Sequence, residues 1–134
     1  MSQVKRVLVV DDDSEVRRTI SASLASSGFE PTDVGDGDQA MTHLSAQAFD
    51  LAICDLFMPG KDGLETILAM RKSQPQMPII LITGGGRHFS PGAGALEDLL
   101  QSAEFFGVTH VLMKPFRPSQ LISLVKTVLS SDQQ

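Results

Sequence analysis

Five short apolar runs punctuate the chain: RVLVV (6–10), FEPTDV (29–34), DLAICD (50–55), MPIILIT (77–83) and THVLM (109–113), with helix-length intervals between them. This alternation restricts the fold more than any other feature. A strand solvated on one face alternates apolar and polar residues, whereas the runs at 6–10, 50–55 and 78–83 are almost wholly apolar, as strands buried on both faces should be. Strands alternating with helices imply a parallel sheet covered on both sides, so an α/β domain is expected. The run at 29–34 carries Glu30, Pro31 and Asp33 and is expected at an edge, where proline's missing N–H costs no ladder bond.

The intervals carry helical spacing. Val16, Ile20 and Leu24 recur at four-residue steps, and Gly28 follows as a C′ terminator. Ala40, Met41 and Leu44 mark a second helix entered near Asp36. Leu64, Ile67, Leu68 and Arg71 mark a third, ending before Pro75. Leu96, Leu99, Leu100, Ala103 and Phe106 mark a fourth, closed by Gly107. Pro118 opens a fifth at a position where its missing N–H is harmless, and Leu121, Leu124, Val125 and Val128 form its inner face. One domain over 1–134 is expected, with a core of about 4–130 and a short polar tail, SSDQQ.

The first run ends in Asp11, Asp12 and Asp13. Two such carboxylates about 5 Å apart, at an effective dielectric near 20, repel by roughly 3 kcal/mol. A divalent cation would offset that repulsion. In a parallel α/β sheet, functional groups gather beyond the carboxyl ends of the strands. The third run ends in Asp55, the fourth in Thr83, and the fifth in Lys114 followed by Pro115. Acids, one hydroxyl and one ammonium on a single rim suit phosphoryl transfer to a carboxylate, with Mg²⁺ (or Mn²⁺) held by the acids. Taken singly, each feature reads as ordinary turn or surface chemistry; their joint placement carries the argument.

The segments VLVVDDDSEVRR, LAICDLFMPGKDGLE, ILITGG and VLMKPF closely resemble the receiver domains of bacterial two-component response regulators, over about residues 4 to 130. The resemblance implies a flavodoxin-like (CheY-like) (βα)5 doubly wound parallel sheet, strand order 2-1-3-4-5, flanked by five helices. It implies Asp55 as phosphoacceptor, Asp11 and Asp12 with Asp55 and the backbone carbonyl of Phe57 as the Mg²⁺ site, and Thr83 and Lys114 as ligands of the phosphoryl group. It also implies a cis Lys114–Pro115 peptide. Asp13 falls where the family varies and is expected to cap the first helix. Pro59 and Gly63 fit the loop after Asp55. The implied partners are a histidine kinase or histidine phosphotransfer protein, and a downstream protein on the face made by the fourth helix, fifth strand and fifth helix. The implied activity is that of a phosphorylated switch and not of an enzyme acting on external substrates.

Some residues depart from the family. Receivers usually carry an aromatic three residues before the strand-five lysine; here that position is Val111, so an aromatic switch of the usual kind is absent. The stretch GGGRHFSPGAGALEDLLQSAEFF is several residues longer than usual, and its glycine-rich part (84–94) reads either as a tolerated insertion or as a partner-binding segment with Arg87, His88 and Phe89 as first contacts. Gly85 and Phe57 occupy positions that tune dephosphorylation in relatives.

Several function classes are disfavoured. A net charge of −5 and the absence of Trp and Tyr argue against nucleic-acid binding. No run approaches the ~20 apolar residues of a membrane span, and no signal-peptide pattern opens the chain, so a cytoplasmic domain is expected. The single cysteine, Cys54, forms no internal disulfide and faces away from Asp55, as core packing. His43, His88 and His110 have no ligand spacing, and GGG lacks the residues of a P-loop. Two alternatives stand beside the receiver reading. One is a haloacid-dehalogenase-like phosphohydrolase, with Asp11 and Asp13 as nucleophile and acid. The other is a phosphorylation-independent binding module.

Overall fold

The computed structural model describes residues 4–56, 63–84 and 108–132. They form strands β1 (Arg6–Val10), β2 (Glu30–Val34), β3 (Leu51–Asp55), β4 (Ile79–Gly84) and β5 (Val108–Lys114). The helices are α1 (Ser14–Ser26), α2 (Gly37–Ala46), α3 (Gly63–Ser73) and α4 (Pro118–Asp132). All strand pairs are parallel, in the order β2-β1-β3-β4-β5, as the resemblance implied. Helix α4 is the fifth helix of the sequence pattern. The expected fourth, at 96–106, lies outside the described residues, as do Phe57, Pro59, Gly85, Arg87, His88 and Phe89.

The apolar runs became the central strands because both faces of the sheet are covered. All five residues of β3 are buried, and so are four of β1. Strand pleat sends alternate side chains to opposite sides. Leu8, Val10, Ala52 and Cys54 join Leu44, Ile67 and Met70 on the face covered by α2 and α3. Val7, Val9, Ile53 and Ile80 join Ile20, Leu24, Leu121 and Val125 on the face covered by α1 and α4. Cys54 is thus core, as expected. Strand β2, with its exposed Glu30 and Asp33, is the edge strand anticipated from Pro31.

Helix boundaries follow their signals. Asp13 caps α1, its carboxylate accepting from Glu15 N and Val16 N, and Gly28 takes the positive φ of 92° that the chain reversal demands. Asp36 caps α2 through Gln39 N. The inner face of α3 differs from the one its spacing predicts. Ile67 and Met70 are fully buried while Leu68 is half-buried. Arg71 does not continue the apolar face: its guanidinium donates to the carbonyls of Gln74, Pro75 and Met77 and closes the helix end. In α4, Ile122 and Leu129 are buried beside the expected Leu121, Val125 and Val128.

Candidate functional site

The parallel sheet places every strand's carboxyl end on one rim, and four sequence-expected residues meet there. Asp11 follows β1 directly. Its N–H donates to Val34 O at 3.2 Å, which continues the β1–β2 pairing one step past the strand. Its carboxylate is fully buried. One oxygen accepts from Asp13 N (2.9 Å), the other from Lys114 Nζ (3.0 Å). Lys114 also donates to Asp55 Oδ2 at 3.1 Å. Because β4 lies between β3 and β5, the lysine reaches over the end of β4 to join acids belonging to two strands. The peptide after it, Lys114–Pro115, is cis, as the resemblance implied.

Asp12 completes the acid group. It is exposed, and among the described residues its carboxylate has no hydrogen-bond or ion-pair partner. Asp11, Asp12 and Asp55 each present an oxygen within 4.8 Å of the others. Three hard oxygen donors at this spacing match what Mg²⁺ or Mn²⁺ takes. One lysine against three carboxylates also leaves negative charge that a dication would neutralise. Phe57, the fourth expected ligand, lies outside the described residues. Asp13 is not part of the group. Its carboxylate is engaged as the α1 cap, so the phosphohydrolase reading, which needs Asp11 and Asp13 to act together, does not fit this geometry.

Thr83, one residue from the end of β4, is buried to 1% exposure, and its Oγ1 has no hydrogen-bond partner. A buried hydroxyl without a partner is costly, so its occurrence at this rim suits a hydroxyl held for a ligand. Val111 is half-buried against the α2/α3 side of the core. Of the described histidines, His43 lies in the last turn of α2 and His110 is exposed on β5; neither joins the acid group.

The field of the site acts on its neighbours. Burial is the largest influence on Lys114 and disfavours its charge. The nearby charges of Asp55 and Asp11, and their hydrogen bonds, together outweigh it and hold the ammonium pKa above the usual lysine value. Burial pushes the Cys54 thiol far up, and the charges of Asp55 and Asp11 push it further in the same direction. That thiol is inert in the folded protein.

One residue of this neighbourhood escaped the sequence reading. Arg17, on the second turn of α1, donates from Nη1 to the backbone carbonyl of Asp11 (2.8 Å) and from Nε to Asp33 on β2 (3.1 Å). The available signal was an arginine within a helical turn of an acidic cluster, together with an acid at the end of the edge strand.

Known proteins resemble the chain in sequence and in fold. The family pattern described as response regulator receiver domain matches residues 7–126. The DNA-binding response regulator MtrA of Mycobacterium leprae (strain TN) is 31% identical over 125 residues, covering 93% of this chain and 51% of that protein. MtrA of Mycobacterium tuberculosis (strain CDC 1551 / Oshkosh) is equally similar. The chain spans about half the length of these curated relatives. Among solved structures, a CheY-like response regulator receiver domain protein from Methanospirillum hungatei JF-1 matches with a TM-score of 0.86 at 25% identity, covering 98% of each chain. Chemotaxis protein CheY4 of Vibrio cholerae matches with a TM-score of 0.80 at 29% identity, covering 94% of this chain and 99% of that one.

Proposed function

The chain belongs to the response regulator receiver domain family, and from that premise we propose that it is a phosphoacceptor switch in which Asp55 takes a phosphoryl group from a phosphohistidine donor. The observation that carries this reading is the junction of Asp11 and Asp55 through Lys114, with Asp12 alongside.

In the transfer, a carboxylate oxygen of Asp55 attacks phosphorus. The P–N bond to the donor imidazole breaks, and its electron pair stays on that nitrogen, leaving an acyl phosphate on Asp55. Asp11, Asp12 and Asp55, with the expected Phe57 carbonyl, would hold Mg²⁺, which would supply positive charge against the phosphoryl oxygens. Lys114, already 3.1 Å from Asp55, keeps a fixed cation beside the oxygens that arrive. Thr83 Oγ1, buried and without a partner, would donate to one of them. Water attack at phosphorus later releases phosphate and restores the carboxylate.

The donor partner is a histidine kinase or a histidine phosphotransfer protein. The readout is a population shift on the face that includes β5 and α4, recognised by a partner protein. Val111 is too small to act as an aromatic switch, so the Thr83 hydroxyl and the backbone carry the change. The MtrA proteins are named as DNA-binding; the net charge of −5 disfavours that role for this chain.

The test is intact-protein mass after incubation with acetyl phosphate, with and without Mg²⁺, on wild type and Asp55→Ala. A Mg²⁺-dependent phosphoryl adduct that vanishes in the variant supports the reading. No adduct, together with no binding of beryllofluoride, would replace it with the phosphorylation-independent binding module.

A further inference from the structure

We infer that Arg17 is a positioning residue for the metal site, acting through the Asp11–Asp12 peptide. The inference rests on the reading of Asp11, Asp12 and Asp55 as that site. Asp12 is the member of the acid group whose carboxylate has no partner among the described residues, so its direction is set by its own backbone. A peptide is planar from one Cα to the next; fixing the carbonyl of Asp11 therefore fixes the plane that leads into Asp12.

Arg17 performs that fixing. Its Nη1 donates to Asp11 O at 2.8 Å while its Nε is anchored by Asp33 at 3.1 Å. The guanidinium is a rigid fork, so one anchored arm orients the other. Gly35, next to the end of β2, leaves space for it: a Cβ there would lie 3.2 Å from Nη1. Neighbouring bonds close the frame. Asp11 N is held by Val34 O, and Asp13 N by the Asp11 carboxylate. Asp12 thus stands between two peptide planes tied to β2, α1 and Asp11. Its carboxylate is delivered to the site by the frame and not by any bond of its own.

The ion pair also has a counterpart at the far end of the sheet. Arg6 pairs with Glu30 at 3.7 Å across the same two strands, β1 and β2, but at their amino ends. Arg6 therefore serves as a control of similar chemistry remote from the acids.

The experiment measures Mn²⁺ binding directly, from the electron paramagnetic resonance signal of the free ion, with Mg²⁺ as competitor. It is run on wild type, Arg17→Met, Arg17→Lys, Asp33→Asn, Arg6→Gln and Asp12→Asn. Arg17→Met should weaken Mn²⁺ binding about tenfold, as loss of an outer-shell partner does at metal sites. Asp33→Asn, which leaves Arg17 in place but slackens its anchor, should weaken it less. Arg6→Gln should leave it unchanged. The Mg²⁺ concentration giving half-maximal phosphorylation should rise in step in Arg17→Met, with the rate at saturating Mg²⁺ near wild type. A stability role alone would not produce that split.

Arg17→Lys separates geometry from charge. A lysine keeps the positive charge but cannot hold Asp33 and the Asp11 carbonyl in one rigid fork, so it should not restore wild-type affinity. Full restoration by lysine, or equal Mn²⁺ affinity in wild type, Arg17→Met and Asp33→Asn, overturns the inference while leaving the metal site standing. Mn²⁺ binding by wild type that Asp12→Asn does not weaken overturns the metal site itself and the inference with it.

Discussion

The two ends of the sheet solve opposite problems. At the amino ends of the strands, polar side chains complete the backbone's hydrogen bonding. Gln74 donates to Leu44 O and Gln47 O and accepts from Phe49 N. Arg71 covers three carbonyls at the end of α3, and Arg6 N is taken by Asp50. At the carboxyl ends, buried or adjacent acids face one another, one ammonium serves two of them, and a buried hydroxyl has no partner. The first end is an arrangement that would suit any protein, because each donor finds an acceptor. The second departs from that rule at several neighbouring positions. Local conflicts of this kind collect where a ligand completes the structure.

The comparison breaks most sharply at Lys114. In Lys114→Met, Asp11 and Asp55 stay buried without their shared cation. Loss of one partner of a buried ion pair costs about 3 kcal/mol, taken at the low end because the lysine side chain is 22% exposed. Urea unfolding at pH 7 should show that loss, and added Mg²⁺ should recover much of it. An unchanged midpoint would mean that the acids are hydrated and the rim holds no stored repulsion.

Gln74→Ala attacks the other end. It strips partners from Leu44 O, Gln47 O and Phe49 N, at about 2 kcal/mol for a partly buried set. Stability should fall while the phosphoryl adduct and its Mg²⁺ dependence stay as in wild type. A change in either would couple the two ends of the sheet. A smaller effect separates stability from chemistry within the functional rim. Asp13→Ala removes the α1 cap but retains the Asp13 N–H that the Asp11 carboxylate uses. It should cost about 1 kcal/mol by thermal unfolding with Mn²⁺ affinity preserved.

What the amino-acid sequence reveals about these two ends also differs. The strands of the centre were legible because burial on both faces writes itself as contiguous apolar residues. Edge strand β2 was legible through Pro31. The rim acids, Thr83 and Lys114 were legible because each directly terminates, or nearly terminates, a recognisable strand. The polar clasp of the amino end was not. Arg71 sits at a helical step from Ile67 and reads as part of the same stripe, yet its guanidinium turns forward to the carbonyls that follow the helix, and Met70 takes the buried place. Gln74 bonds residues 25 to 30 positions away, and no local pattern marks such contacts. Arg17 was hidden for the same reason. One of its acceptors is a backbone carbonyl, and the other belongs to a strand 16 residues on.

The smallest effect concerns pH, and it tests how far the field of the acids extends into the core. Both Lys114 and Cys54 have folded-state pKa values raised above their ordinary ones. For each, the stabilising contribution is complete below the unfolded-state value and is lost as pH climbs from there toward the folded one. The two losses start at different pH because the ordinary values differ: 9.0 for the thiol and 10.5 for the ammonium. With no tyrosine and a single cysteine in the chain, Cys54 dominates the interval from pH 8 to 9.5. There the unfolded chain begins to release the thiol proton and the folded one keeps it, so unfolding becomes easier by about 0.8 kcal/mol. Cys54→Ala lowers stability at every pH through lost packing, but it should flatten the slope in this interval. The fall tied to Lys114, which sets in around its ordinary value of 10.5, should remain. A wild-type curve that is flat from pH 8 to 9.5 would mean that the thiol ionises as readily inside the sheet as in water, and the charged rim and the core beneath it would then not be separate environments.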